Sequence, residues 1–156
     1  MAELKAQLRA DMTTALKARE SVKLGTLRMA IAAINNEEVA GKEARELSDD
    51  EVRKVLAREV RKRKEAAEAF AGAGRAEQAA NELAEAEVLN AYLPTQLTDD
   101  ELAAAVDEAF AEVTATLGAA PTIKAMGQLM KAANAKVAGR ADGGRVAALV
   151  KGKLNS

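Results

Sequence analysis

Apolar residues recur every three or four positions along the chain, the spacing that places them on one face of an α-helix. In the first part of the chain this pattern predicts four helices, over about residues 2–19, 21–38, 48–71 and 76–91. Their inward stripes are Leu4, Leu8, Met12, Ala15 and Leu16, then Leu24, Leu27, Ile31 and Ile34, then Val52, Val55, Leu56, Val60, Ala67 and Phe70, and finally Leu83, Ala86, Leu89 and Leu93.

Pro94 interrupts the helical pattern, because proline cannot continue a helix and pushes the preceding residue toward an extended conformation. Three further helices are predicted after it. Their stripes are Leu102, Val106, Phe110, Val113 and Leu117, then Ile123, Met126, Met130, Ala133 and Val137 after an opening at Pro121 and Thr122, and then Val146, Leu149, Val150 and Leu154. We therefore predict an all-α protein, with an N-terminal domain of about four helices at residues 1–93 and a three-helix domain at residues 94–156.

Two helix starts carry the same signal, Ser48 followed by Glu51 and Thr98 followed by Glu101. This spacing is a capping box, in which the hydroxyl and the carboxylate each satisfy a free backbone N–H group. The acidic residues around both starts could be read as a carboxylate pair or a magnesium site, but capping already accounts for them. Ser21 and Asp142 are predicted as N-caps of the second and seventh helices.

The composition narrows the chemistry, since the 156 residues include no cysteine and no histidine. Thiolate chemistry, disulfides and the side chain most used for proton transfer near neutral pH are thereby excluded. We predict no catalytic residues, no metal and no cofactor. No apolar run approaches the length that spans a bilayer, and the first residues are charged, so a cytoplasmic protein without a membrane partner is expected.

Charge is distributed unevenly: residues 123–154 carry seven cations and one acid, a balance of +6 in a chain of net charge -1. An excess of this kind favours an anionic partner such as RNA. The predicted RNA-binding residues are Lys124, Gln128, Lys131, Lys136, Arg140, Arg145 and Lys151, and the predicted structural turn comprises Gly127, Gly139, Asp142 and Gly143. Lys124, Gln128 and Lys131 share one helix face, whereas Arg145 near a helix N-terminus opposes the helix dipole unless negative charge is nearby. The alternative is a solvated basic face that balances the acidic fourth helix and residues 99–112.

A second basic run, residues 61–64, lies in the third helix, where Lys54, Arg58 and Arg61 share a face. Glutamates are interleaved with these cations, which favours a solvated surface over a phosphate-binding stripe. The chain has three aromatic residues, and all of them fall within or beside apolar stripes. Base stacking is thus disfavoured, and recognition of a folded RNA through its backbone and shape is expected.

Several short motifs, taken in order, resemble the YqeY family, the GatB/YqeY-domain proteins. They are Thr26-Leu27-Arg28 with Ile34-Asn35, residues 61–65, Tyr92-Leu93-Pro94 with Gln96-Leu97, Met126-Gly127 with Met130-Lys131, and residues 139–143 with Val146. The C-terminal motifs are also similar to the tail of the B subunit of the tRNA-dependent amidotransferase. In that enzyme, the tail contributes to tRNA binding and the amide-forming chemistry resides in the body of the subunit.

The resemblance implies a non-catalytic tRNA-binding accessory protein, with tRNA and amidotransferase subunits as expected partners. A carbon–nitrogen ligase activity with glutamine as nitrogen donor would be inherited from the amidotransferase and would require its subunits. Two alternatives stay open, a subunit or partner that supports transamidation and a helical protein-interaction module that docks a partner on the acidic fourth helix. Neither the RNA nor the oligomeric state follows from the sequence.

Overall fold

Residues 2–156 are described by a computed structural model, and they form seven α-helices and one short 3-10 helix, with no strand among them. The all-α prediction is confirmed. The helices are α1 (Glu3–Ala18), α2 (Ser21–Val39), α3 (Asp49–Gly72), α4 (Ala76–Asn90), α5 (Asp99–Leu117), α6 (Met126–Val137) and α7 (Gly143–Leu154), and the 3-10 turn Ile123–Ala125 directly precedes α6.

The chain divides into two compact units, an N-terminal unit (Met1–Leu93) that contains α1 to α4 and a C-terminal unit (Pro94–Ser156) that contains α5 to α7. Each unit has a hydrophobic cluster of its own.

The core of the N-terminal unit forms where the apolar stripes of its helices meet. Leu8, Leu27, Leu56 and Leu89 contribute one fully buried side chain from each helix. The short turn at residues 73–75 pairs α3 with α4 as a helical hairpin, the most extensive helix contact in the unit. The predicted stripes are wrong at their ends, since Leu16 and Leu83 are exposed.

The two predicted capping boxes are present. The Ser48 hydroxyl accepts the Glu51 N–H at 3.2 Å and the Glu51 carboxylate accepts the Ser48 N–H at 2.9 Å, and Thr98 and Glu101 repeat the exchange. A hydrogen bond from Arg45, with the Ser48 N–H second, lowers the pKa of Glu51 to about 2. The Ser21 prediction is wrong, because this residue is the first of α2 and the preceding residue occupies the N-cap position without a side-chain hydrogen bond.

A buried ion pair ties α1 to the end of α2. Lys5 Nζ lies 2.6 Å from a Glu38 carboxylate oxygen, and the same carboxylate accepts the Leu47 N–H at 3.3 Å. The Lys5 hydrogen bond is the main cause of a Glu38 pKa below its ordinary value. Nearby, Asp49 in the first turn of α3 accepts the Leu4 N–H at 3.0 Å, so a side chain of α3 caps α1.

One member of the basic run in α3 is not solvated. Arg63 is 4% exposed, and its guanidinium donates to Glu59 at 2.9 Å and to Glu85 of α4 at 3.2 Å. It also reaches the Glu59 carbonyl oxygen at 3.1 Å. The interpretation of the whole run as a solvated face is therefore wrong at Arg63, which joins α3 to α4.

The core of the C-terminal unit departs from the predicted stripe of the sixth helix. Leu129, which the prediction omits, is fully buried, whereas Ile123 is 67% exposed. The 3-10 turn before α6 has about three residues per turn, and this shifts the inward positions relative to a continuous α-helix. Within α6, Leu129 joins the predicted Ala133 and Val137 in the core, and the predicted Met126 and Met130 pack partly buried against it. Leu149 of α7 is exposed despite its predicted inward position.

Candidate nucleic-acid interface

The turn between α6 and α7 begins with two residues in the left-handed region, Ala138 at φ 50° and Gly139 at φ 77°. Gly139 thus occupies a turn position that favours glycine. The prediction is wrong for Gly127, which lies inside α6, and Gly143 is already the first residue of α7. Asp142 stands at the N-cap position of α7, but its side chain makes no capping hydrogen bond to the helix.

Arg140 is held on both its backbone and its side chain. Its carbonyl oxygen accepts the Leu97 N–H at 2.7 Å, and its Nε donates to the Thr95 carbonyl oxygen at 2.8 Å. Because a carbonyl oxygen carries no formal charge, this contact positions the guanidinium without neutralising it. The residue remains exposed.

Three other cations of the basic segment are paired with acids of α5. Arg145 lies 2.6 Å from Asp99, Lys136 lies 3.1 Å from Glu112 and 3.8 Å from Glu108, and Lys153 pairs with Asp107. The position of Arg145 near a helix N-terminus therefore has an internal explanation, since Asp99 supplies the negative charge. The alternative of charge balance by residues 99–112 accounts for these three cations.

Four of the predicted RNA-binding residues have side chains without an ion-pair partner in the described part of the chain. Lys124, Gln128, Lys131 and Lys151 are exposed, and none of their side chains makes a hydrogen bond or an ion pair with any residue in 2–156. Lys124 belongs to the 3-10 turn, and Gln128 and Lys131 belong to α6. These three residues lie on the solvent-facing side of the turn and of α6, away from the buried residues that begin at Ala125. We call Lys124, Gln128 and Lys131 the α6 outer face.

The structure thus separates the seven predicted RNA-binding residues into two groups. Lys136 and Arg145 are engaged in ion pairs, and the other five keep their charge or polarity toward solvent. The sequence interpretation missed the role of the segment at Thr95 and Leu97, because its contacts are with backbone carbonyl groups and leave no side-chain pattern. The acids of α5 are visible in the sequence, but their cation partners depend on the packing of α5 against α6 and α7.

The α6 outer face presents charged and polar groups but no aromatic ring. Phe110 is buried with Lys153 over its ring, and Tyr92 packs partly buried against the core of the N-terminal unit, where its hydroxyl donates to Asp11 at 2.5 Å. Among residues 2–156, no three carboxylates converge in a geometry that could hold a metal ion. On the second basic stripe, in α3, Arg58 pairs with Glu37 at 3.3 Å, and both side chains are exposed. This ion pair agrees with a solvated helix face.

Fold and surface together define an all-helical protein with a cationic outer face on its C-terminal unit. The sequence pattern of the family described as Yqey-like protein matches residues 5–154, and the chain therefore belongs to the YqeY family. A search of curated proteins found no match. Over the residues that the structure describes, no helix is both long enough and apolar enough to cross a membrane.

Proposed function

We propose that the C-terminal unit binds RNA, with tRNA as the preferred ligand, and that the chain acts as a non-catalytic accessory protein of the cytoplasm related to the tRNA-dependent amidotransferase. The observation that carries the proposal is the set of three exposed lysines, Lys124, Lys131 and Lys151, that no residue in 2–156 neutralises. Three unpaired ammonium groups on one small unit attract a polyanion, and Arg140 adds a fourth positive charge held at a defined place.

The arrangement on α6 favours contact with a phosphate backbone. Lys124 and Lys131 are about 11 Å apart along the helix axis, at roughly 1.5 Å per residue, so they can reach different phosphates. Gln128 lies between them and can donate or accept a hydrogen bond at a ribose or a base edge. Because no aromatic ring accompanies these residues, we propose recognition of a folded or double-stranded RNA instead of an unpaired strand.

A fluorescence anisotropy titration with labelled tRNA tests the proposal. The informative variant replaces Lys124, Lys131 and Lys151 with alanine and retains Arg140, because the Arg140 side chain also holds Thr95. We expect the affinity of this variant to fall at least tenfold at low salt. The slope of log K against log salt concentration should decrease in magnitude by about 3, since each lost phosphate contact removes about 1.

The matched control removes the same charge from the N-terminal unit, where the side chains of Lys42, Lys64 and Arg75 are exposed and make no hydrogen bond or ion pair within residues 2–156. Alanine at these three positions should change the affinity by less than about twofold. Equal losses in both variants would show that only net charge matters. Failure of the wild type to bind tRNA would refute the proposal outright.

A gain-of-function variant sharpens the test. Glutamine at Glu108 and Glu112 removes the acids that pair with Lys136 and leaves that ammonium available to a phosphate. If the α5 carboxylates limit the basic surface, tRNA affinity should rise and the salt slope should steepen by up to about 1. The same double substitution combined with Lys136→Ala should cancel the added slope. An unchanged slope in the glutamine variant would place Lys136 outside the RNA-binding surface.

The proposed relation to the amidotransferase rests on a resemblance to the motifs of the B-subunit tail at Gly127, Met130 and Lys131 and at residues 139–142, where Arg140 replaces the lysine of the tail pattern. Of these, Lys131 belongs to the α6 outer face. We propose that the chain acts on tRNA alone or beside the amidotransferase. Co-purification with amidotransferase subunits would favour a supporting role in transamidation, and its absence together with tRNA binding would favour an independent accessory protein.

A further inference from the structure

Gly127 is a glycine that neither the backbone nor the packing of the C-terminal unit requires. It lies in the first turn of α6, it is exposed, and it is not one of the glycines with a left-handed backbone. A Cβ atom added at this position would meet nothing within 4 Å among residues 2–156. Glycine is less favourable than alanine in a helix, because it loses more conformational freedom on folding. Nothing inside the unit therefore explains why this residue is a glycine.

The surroundings of Gly127 are exposed side chains of two kinds. On a helix, the residues three and four positions away are the nearest neighbours on the surface. For Gly127 they include Lys124 and Lys131 of the α6 outer face and Ile123, which is 67% exposed. The glycine thus leaves a gap in which the helix backbone is accessible, between two ammonium groups and one apolar side chain.

The charge around this gap favours an anionic occupant. Residues 113–141 contain four cations and no acid. The side chains of Lys124 and Lys131 have no ion-pair partner within residues 2–156. Phosphates attract such ammonium groups, and the C–H groups of ribose can contact an apolar side chain such as Ile123. A ribose–phosphate backbone therefore matches both kinds of side chain.

We propose that a duplex part of a folded RNA lies against this side of α6 through its minor groove, and that its backbone comes closest to the helix at Gly127. The inference rests on the proposed function and names the element of RNA that is bound. Gly127 lets the sugar edge approach the helix backbone, which a larger residue would prevent. Ile123 packs against ribose, and Gln128 is placed to form a hydrogen bond with a 2′-hydroxyl group.

The shape of the groove selects RNA over DNA. An α-helix with its side chains is about 10–12 Å across, whereas the minor groove of B-form DNA is about 6 Å wide, so α6 cannot enter it. The minor groove of duplex RNA is wide and shallow and displays 2′-hydroxyl groups. A helix in the major groove of DNA reads base edges with long polar side chains, but the centre of this face is a glycine. The face therefore fits a shallow groove.

Substitutions at Gly127 test the close approach in an anisotropy titration with labelled tRNA. Gly127→Ala should raise the melting temperature of the C-terminal unit, followed by circular dichroism, by about 2 to 6 °C. The same variant should bind tRNA about threefold more weakly, and Gly127→Leu at least about tenfold, because the added side chain moves the phosphates away from the lysines. Gly25→Ala is the control: it makes the same change inside α2, where an added Cβ atom also meets nothing within 4 Å among residues 2–156, and it should leave the affinity unchanged.

The outcomes separate this inference from the proposed function. If Gly127→Leu binds tRNA as tightly as the wild type while removal of the three unpaired lysines weakens binding, the close approach at Gly127 is overturned and the RNA-binding function stands. If the wild type does not bind tRNA, both are overturned.

A competition experiment tests the groove. Unlabelled duplex RNA, duplex DNA of the same sequence and one RNA strand alone are compared as competitors of labelled tRNA. We expect duplex RNA to compete at least about tenfold better than either of the others, and Gly127→Leu to reduce this preference. Ile123→Ser should weaken binding of duplex RNA without a change in the salt slope, because it removes no charge. Equal competition by duplex DNA or by the single strand would overturn the minor-groove assignment.

Discussion

The Arg63 guanidinium connects α3 to α4, and a single substitution can remove this connection. It is 4% exposed and holds two carboxylates, Glu59 at 2.9 Å and Glu85 at 3.2 Å. Arg63→Met keeps an unbranched side chain of similar length and removes the charge. The two carboxylates then lie near each other without their shared cation, and the Glu59 carbonyl oxygen loses a donor.

The expected loss follows from the burial of the three groups. Removal of one partner from a buried ion pair costs about 3–5 kcal/mol. Glu59 and Glu85 are 12% and 30% exposed, so water relieves part of the cost and we expect about 3 kcal/mol. For a unit of this size, the melting temperature should fall by about 12 to 24 °C.

Urea unfolding followed by tyrosine fluorescence provides the assay, because Tyr92 is the only tyrosine, no tryptophan is present, and its hydroxyl is bound within the N-terminal unit. Lys62→Met is the control, since this neighbouring side chain is exposed and pairs with Glu59 at only 3.5 Å, and it should cost less than about 0.5 kcal/mol. Glutamine at Glu59 and Glu85 should return at least about 1 kcal/mol to Arg63→Met. A loss for Arg63→Met no larger than that of the control would refute the reasoning.

Other perturbations have defined outcomes. Ser48→Ala and Thr98→Ala each remove an N-cap and should each cost about 1 kcal/mol in thermal unfolding; unchanged melting would contradict the role of the caps. Burial, and after it the hydrogen bond with Asp11, raises the pKa of Tyr92, so a titration of phenolate absorbance should show this residue still protonated above pH 10. In this range the tyrosine of the unfolded chain ionises first, and the free energy of unfolding should therefore fall as the pH rises. Because the folded pKa of Glu38 is lowered, Glu38→Gln should destabilise the protein at pH 7, and its difference from wild type in urea unfolding should shrink as the pH falls below about 4.5.

The all-α class followed from the sequence because local rules determine it. Apolar spacing located the helices, and the capping boxes at Ser48 and Thr98 marked two starts that the structure confirms. The errors arose where local rules are weak. Ser21 looked like a cap, but a serine can equally occupy the first helical position. Ile123 was predicted to face the core because nothing in the sequence indicates that residues 123–125 form a 3-10 turn and not the start of an α-helix.

Polar contacts between distant residues were the least predictable feature. Arg63 is followed in sequence by one more exposed cation, and nothing local distinguishes the buried member of the run from Lys62 or Lys64. Its burial depends on Glu85, 22 positions away. Asp49 likewise looked like part of a capping sequence for its own helix, while its carboxylate caps α1.

The net charge of a sequence segment overstates the positive electrostatic potential of the folded surface when acids elsewhere in the fold pair with its cations. The C-terminal unit is an example. Residues 123–154 carry a balance of +6, yet residues 94–156 as a whole contain seven cations and seven acids, so the unit is neutral. Helix α5 neutralises the cations that face it and leaves Lys124, Lys131 and Lys151 unpaired. Since salt screens exposed charges beyond roughly 10 Å, a bound polyanion would respond to these nearby lysines more than to the net charge. Binding to a neutral unit is therefore physically consistent, provided that the ligand approaches from the side that α5 does not cover.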